Sequence, residues 1–384
     1  MGIKVGMVGV GAFAQSFIRL YQAHPLVDEI VLCDINAERL AENAARYGVR
    51  RTSPSLEHLC TTDVDAAVII TQPWLHAPQA MLALRAGKHV YSAVPTGMSV
   101  AEVAELVKTV EETGRIYMLG ETSYYYPATI YCRAQYARGA FGRIVYAEGE
   151  YYHDWDHGLY EVARRRGGEN WRWLNGNPPM YYPTHSTSEI ISVTGAHMTH
   201  VSCQGFVDTD EDGIYQPEAN QWHNVFSNQS ALFRMSDGSA CRINEFRRIG
   251  HPGTVRMTMF GTEGSFEHNT AGARWVTKNA QETINLDDTL ALSGVETSVG
   301  FWPGVSRLHD VRRLPEAFRT IPSGHEGSHQ FLVDDFVKAC VTGQQPPNNV
   351  WQAARYVLPG LVAHESALRG GELLAIPDFG DPPA

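Results

Sequence analysis

"IKVGMVGVGAFA", residues 3–14, is an apolar run that meets two glycines and passes directly into the amphipathic stretch "AFAQSFIRLYQA". Near-continuous apolar residues, then glycine, then apolar positions at helical spacing predict a strand, a tight turn and a helix. Gly9, Gly11 and Ala14 fill a G-x-G-x-x-A pattern across that turn. Glycine permits the turn and lets a pyrophosphate approach the backbone, where the first N–H groups of the helix and its dipole both favour an anion. An acid at the end of the next strand adds specificity: Asp34 closes "EIVLCD", about 20 residues on. The pattern predicts a dinucleotide site on Gly9, Gly11, Ala12, Phe13 and Ala14, with Asp34 accepting from the adenosine ribose hydroxyls and repelling a 2′-phosphate. That selects NAD over NADP. The alternative reading makes Asp34 the N-cap of a helix starting near Asn36.

Working outward, "DAAVIIT", "KHVYSA" and "RIYMLG" alternate with "NAERLAENAARYG", "WLHAPQAMLALRAG" and "SVAEVAELVKTVEETG". Apolar strands separated by helices mean a parallel sheet covered on both faces, so residues 1–122 read as a doubly wound Rossmann-type domain. Such sheets bind ligands at the carboxyl ends of their strands. Thr71, Gln72, Pro73 and His76 follow one strand, and Ala93, Val94 and Pro95 follow another. His76 is equally readable as a surface residue of the next helix. The tip at Ala93, Val94 and Pro95 supplies no group able to move a proton, so an acid or base must come from elsewhere.

After Tyr124 the texture changes. "RIVYAEGEYYHD", "QSALFRMSDGSACRINEFRR" and "TVRMTMFGTEGSFEH" alternate in hydrophobicity around Gly and Asp-Gly turns, which predicts a large open, mostly antiparallel sheet in an α/β domain over 123–340. Residues 154–186, rich in Trp, Tyr, Arg, Gly and Pro, read as a long functional loop. A C-terminal helical segment, 341–384, is expected to pack back on the first domain. The chain has 384 residues and a formal net charge of −11, which argues against a nucleic-acid partner, and no apolar run is long enough for a membrane span. Six scattered cysteines without a CxxC pair, and a first strand beginning at Ile3, predict a cytoplasmic protein acting on a small molecule.

Reactive groups concentrate in "NPPMYYPTHSTSEI", residues 177–190. Prolines stiffen the segment, and a histidine near its ordinary pKa is the best proton acceptor at neutral pH, so His185 is the candidate base. "YYHDWDH" and "GAHMTHV" are readable as metal ligands, but no HExxH or closing Cys/His set accompanies them, and no metal is expected. Glu121 and Tyr124 follow the strand that leaves the first domain. Arg164 to Arg166 read as a solvated loop or, beside Trp171, Arg172 and Trp173, as contacts for an anionic substrate.

Together "VGVGAFA", "TQPWLHAPQAMLALRAGKHV", "RGAFGRIVYAEGEY", "GSHQFLVDDFV" and "GGELLAIPDF" resemble the glucose-fructose oxidoreductase, inositol dehydrogenase and MocA (Gfo/Idh/MocA) family over nearly the whole chain. The resemblance implies a Rossmann domain followed by an α/β domain whose open sheet serves substrate binding and association into a homodimer or homotetramer. Dehydrogenases of this family carry Glu-Lys-Pro where this chain has Ala93-Val94-Pro95. The NAD-dependent glycosidases of glycoside hydrolase family 109 also lack the lysine, and they resemble this chain at "YMLGETSYYY", "YYHD", "NWRW" and "YYPTHSTS". In that branch NAD is held and reused while a sugar is oxidised at C3, loses its C1 substituent by elimination, adds water and is reduced again. By resemblance, His185 and Tyr182 transfer protons, and Glu121, Tyr124, His153, Asp154, Trp171 and Arg172 line the sugar site, with Arg166 added for an anionic sugar such as a uronide or sulfonated glycoside. Ser186, Thr187 and Ser188 replace the glycines that follow the histidine in that branch. The alternative is an ordinary sugar or polyol dehydrogenase in which His185 replaces the lysine and NADH leaves at each turnover.

Overall fold

The computed structural model describes residues 2–210, 212–279, 283–297 and 300–383. The chain forms two compact units, one of Met1–Pro127, Thr289–Ala354 and Phe379–Ala384, the other of Ala128–Asp288 and Arg355–Asp378.

The first unit opens with β1 (Ile3–Val8), α1 (Gln15–Ala23), β2 (Val27–Cys33), α2 (Ala37–Tyr47), β3 (Arg51–Ser53) and α3 (Leu56–Cys60). It continues with β4 (Ala66–Ile69), α4 (His76–Arg85), β5 (His89–Ser92), α5 (Val100–Thr113) and β6 (Tyr117–Leu119). The six strands pair in parallel in the order β3-β2-β1-β4-β5-β6. Order reverses beside β1, so the carboxyl ends of β1 and β4 flank the switch point where ligands bind. Helix ends follow local chemistry. Ser99 accepts from the Glu102 N–H to open α5, and Asn36 accepts from the Arg39 N–H to open α2. Asn36, not Asp34, is therefore the N-cap of α2.

The second unit contains α6 (Pro127–Ala137), β7 (Ile144–Tyr152), α7 (Tyr160–Gly167), α8 (Trp171–Asn175), α9 (Thr184–Thr194) and β8 (Met198–Val207). Then come β9 (Phe226–Met235), β10 (Ala240–Phe246), β11 (Thr254–Gly261), β12 (Gly264–Asn269), β13 (Gly272–Thr277) and β14 (Ile284–Asn285), and α10 (Asp287–Leu290) spans the return to the first unit. The sheet has nine strands in the order β14-β13-β12-β11-β7-β10-β9-β8, closed by β17 (Leu374–Ala375). Only the pairing of β10 with β7 is parallel. On this sheet lies α9. A Cβ at Gly149 of β7 would come within 2.6 Å of the Ser186 carbonyl, so glycine there lets helix and strand backbones meet.

β15 (Ser293–Thr297), β16 (Gly300–Val305) and α11 (Gly324–Thr342) return to the first unit, and α12 (Val350–Leu368) begins there and ends in the second. The expected boundaries at 122 and 340, and the separate segment 341–384, give way to this interleaved division. Its cause is apolar burial. Phe331, Leu332, Val333, Phe336 and Val337 of α11 are buried, with α11 packed on α1 and β1, whereas the Tyr356 carbonyl of α12 accepts from Thr187 of α9. The expected loop 154–186 is also corrected. It folds into short helical turns around a core of Trp155, Ala163, Trp171, Ile214 and Tyr215, because its tryptophans and tyrosines bury one another. Arg164 to Arg166 lie in the last turn of α7, where basic groups suit the helix dipole.

Candidate functional site

In the first unit, Gly9 adopts φ +82°, and a Cβ there would lie 2.5 Å from the Ile70 carbonyl, so the turn demands glycine. Gly11 faces open space, and α1 starts at Ala14 without a side-chain cap. Asp34 is buried; its Oδ2 accepts from the Val10 N–H at 3.0 Å and its Oδ1 from the Asn36 N–H at 2.8 Å. Oδ1, with that single donor, keeps a second lone pair for a ribose hydroxyl. Arg39 Nη1 lies 3.5 Å from Oδ2.

At the neighbouring strand ends, Thr71 donates to Gln79 Oε1 at 2.6 Å, and Gln72 Oε1, in the residue before Pro73, is buried without a hydrogen-bond partner. His76 is buried, not a surface residue. Its Nδ1 is 2.9 Å from the Pro95 carbonyl and its Nε2 3.4 Å from the Thr71 carbonyl, so it bridges the loops after β4 and β5. Ala93 and Val94 are buried and apolar. Glu121 is fully buried, with Oε1 accepting from the Ser123 N–H at 2.9 Å as the cap of a short turn; the Tyr124 ring packs edge-on against Tyr125. An open glycine, an uncapped helix start, a buried acid and an orphaned amide oxygen fit the diphosphate, ribose and amide groups of a dinucleotide.

In the second unit, α9 carries His185 in its first turn, just after Pro183. The His185 ring meets Tyr182 at 5.4 Å and Tyr151 at 5.2 Å, both edge-on. The Tyr151 hydroxyl is 2.9 Å from His153 Nδ1, and the Arg247 guanidinium lies 4.8 Å from the Tyr151 ring centre. Behind them Glu245 is fully buried, accepting from Arg247 Nη2 at 3.1 Å and from the Ser186 hydroxyl. Burial pushes the Glu245 carboxyl up to about 7, against the pull of Arg247, Ser186 and His185. Burial, reinforced by Arg247, His185 and Arg166, lowers His153 to about 4, so it is neutral at pH 7. The arrangement can hold and move protons.

Residues 3–121 match the oxidoreductase family with an NAD-binding Rossmann fold, Gfo/Idh/MocA. A glycosyl hydrolase family 109 protein of Saccharopolyspora erythraea is 25% identical over 98% of this chain and 83% of its own length. One from Shewanella amazonensis is 32% identical over 49% of this chain and 44% of its own. Residues 3–121 thus form an NAD-binding Rossmann domain of the Gfo/Idh/MocA oxidoreductase type. The fold of the chain is also that of a levoglucosan dehydrogenase solved with NADH and levoglucosan, with a TM-score of 0.76, 20% identity, and coverage of 99% of this chain and 100% of that one.

Beyond the matched domain, the remaining expected sugar-site residues have structural employment. Asp154 caps the turn that follows it, accepting from Asp156 N–H at 2.9 Å and Ile249 N–H at 2.6 Å. Trp171 belongs to the buried aromatic core, and Arg172 stacks on it at 4.4 Å while donating to the Asp212 carbonyl at 2.9 Å. Each of the three is thus also held by the protein itself, and Asp154 lines a pocket with Asp156, His157 and Arg248. Arg166 is exposed on α7, close enough to His153 to act on its charge. Residue reading passed over Tyr151, Glu245 and Arg247. The signal was alternation, since Tyr151 and His153 are two apart in "YYHD" and Glu245 and Arg247 two apart in "EFR", and Glu245 pairs with Tyr151 in register.

Proposed function

We propose that this enzyme cleaves glycosides by transient oxidation of the sugar at C3, with one bound NAD reused at every turnover. NAD, when bound, supplies a place for the C3 hydride to go and to return from. The observation that carries the reading is the His185, Tyr182 and Tyr151 cluster in the second unit, combined with apolar Val94 where the family's dehydrogenases have lysine. Relatives named as glycosyl hydrolase family 109 proteins, aligned over 98% of the chain, support it. His185 accepts the hydroxyl proton as C3 becomes a ketone and, once that proton has passed to solvent, takes the acidified C2 hydrogen. Tyr182, on the same aromatic face, is the second carrier. Loss of the C2 proton expels the C1 substituent and leaves a C1–C2 double bond; water then adds at C1 and C2 is reprotonated. Glu245 and Arg247 hold the cluster from behind, and neutral His153 fixes the Tyr151 hydroxyl.

The substrate proposed is a neutral or anionic glycoside, a uronide or sulfonated sugar included, with Arg166, exposed in the last turn of α7, as the cation offered to an anionic group. The enzyme is further proposed to assemble as a homodimer or homotetramer through the open sheet, whose outer residues Leu232 and Phe206 are exposed. Light scattering on the purified protein tests the assembly. For the reaction, neutral and anionic aryl glycosides are incubated with catalytic NAD in heavy water. Aglycone release without NADH absorbance, with deuterium gained at C2, supports the reading. A two-carboxylate hydrolase would leave C2 untouched. Stoichiometric NADH without aglycone release overturns it and leaves a dehydrogenase.

A further inference from the structure

Helix α11 begins with an unusual bend. His325, Glu326 and Gly327 take φ values of +45°, +52° and +89° in succession, and the first two are not glycine. Side chains with a Cβ rarely occupy this region, and such residues persist only where surroundings enforce them, commonly at ligand sites. The enforcement is visible: the Ser323 hydroxyl donates to the Gly327 carbonyl at 2.6 Å, closing the bend.

The bend lies against the dinucleotide loop of the same unit. Phe13, one residue before the N-cap of α1, has its ring 5.2 Å from the His325 ring and 5.6 Å from that of His329. His325 stacks on His329 at 4.9 Å and is itself exposed. His329 is buried, with neither ring nitrogen hydrogen-bonded, and burial lowers it to about 3, so it stays neutral and serves as a flat platform. A buried imidazole without partners is costly unless it supports something. Burial also pushes the Glu326 carboxyl up to about 7, removing part of a negative charge that would repel phosphate.

We propose that the Gly324–Gly327 bend is a second wall of the dinucleotide site, in which the His325 imidazole donates a hydrogen bond to the diphosphate of NAD. The glycine loop offers backbone N–H groups from one side, and the bend offers a ring donor carried on His329 from another. The function is retention: an enzyme that reuses its cofactor needs slow release, although the contact itself depends only on NAD binding and not on the glycosidase reading.

The test is His325→Gly, since glycine keeps the left-handed backbone and removes only the ring. Affinities and dissociation rates are measured for NAD, ADP-ribose and adenosine, together with the NAD retained through gel filtration. NAD and ADP-ribose should bind about tenfold more weakly and leave faster, the scale of one lost charge-assisted hydrogen bond, while adenosine binding stays unchanged. Unchanged NAD and ADP-ribose affinity overturns the proposal. So does an equal loss on adenosine, which would make the bend a purely structural prop.

Discussion

The two units build their candidate sites from opposite materials. Around Gly9, Gly11 and Asp34 the working groups are backbone N–H donors, a helix start and one acid that is itself held by backbone. Around His185 they are side chains supported by other side chains: Tyr182, Tyr151, His153, Arg247 and Glu245. A backbone site tolerates changes of side chain but not of glycine, whereas a side-chain site depends on each neighbour. The first kind writes a contiguous pattern in the sequence. The second depends on strand register.

The sharpest break between them is His185→Ala. It should lower turnover by about 10² to 10⁴, the span for a lost general acid or base, with the NAD dissociation constant unmoved. Near-normal turnover on the true substrate would transfer the role to Tyr182. Arg247→Met comes next, because it leaves Glu245 fully buried without its cation, at a cost of about 3 kcal/mol or more when Glu245 is ionised. Glu245, raised to about 7, takes up a proton on acidification, so the loss in Tm should be larger at pH 8 than at pH 5.5. Equal losses at both pH values would show that the pair acts only by packing.

On the cofactor side, Asp34→Ala should weaken NAD by a hydrogen bond of about 1.5 to 3 kcal/mol and narrow its advantage over NADP, since Arg39 is then released toward a 2′-phosphate. Titration of both cofactors decides this, and a wider NAD advantage would refute it. A pH titration of stability touches both units. His153 and His364 in one unit, and His309 in the other, are lowered by burial to about 4 from the usual 6.5. Their folded pKa values lie below the unfolded ones, so the stability they contribute is present above about pH 6.5 and lost as pH falls toward 4. His153→Gln should flatten part of that acid limb, as read by denaturant melts at pH 7 and pH 5. The smallest effect expected is Val94→Ala, which removes no proton carrier and should change turnover about twofold at most.

Sequence reading recovered the parallel sheet within residues 3–119 because parallel strands and their helices announce themselves as apolar runs, caps and glycines, but it missed the return of Thr289–Ala354 to the same unit. The hairpin of β9 and β10 was equally legible from its Asp-Gly turn. What escaped was anything set by distant burial. Trp171, read as a sugar-lining residue, joins a core that includes Ile214 and Tyr215, more than 40 positions away. Glu245 looked like one more strand residue until the parallel pairing with β7 set it beside Tyr151. Asp154 combined a suggestive neighbourhood with a capping role that no local pattern separates from catalysis.

The return of α11 to the first unit has a consequence for how the protein is made. Phe17 and Tyr91 pack against His329 and Phe336, which the ribosome adds long after the strands and helices of residues 3–119 have emerged. At about 5 to 20 residues per second, the intervening chain takes roughly 10 to 50 s to synthesise. Through that interval the nascent sheet carries an uncovered aromatic flank, a natural handle for a chaperone that releases it once α11 arrives.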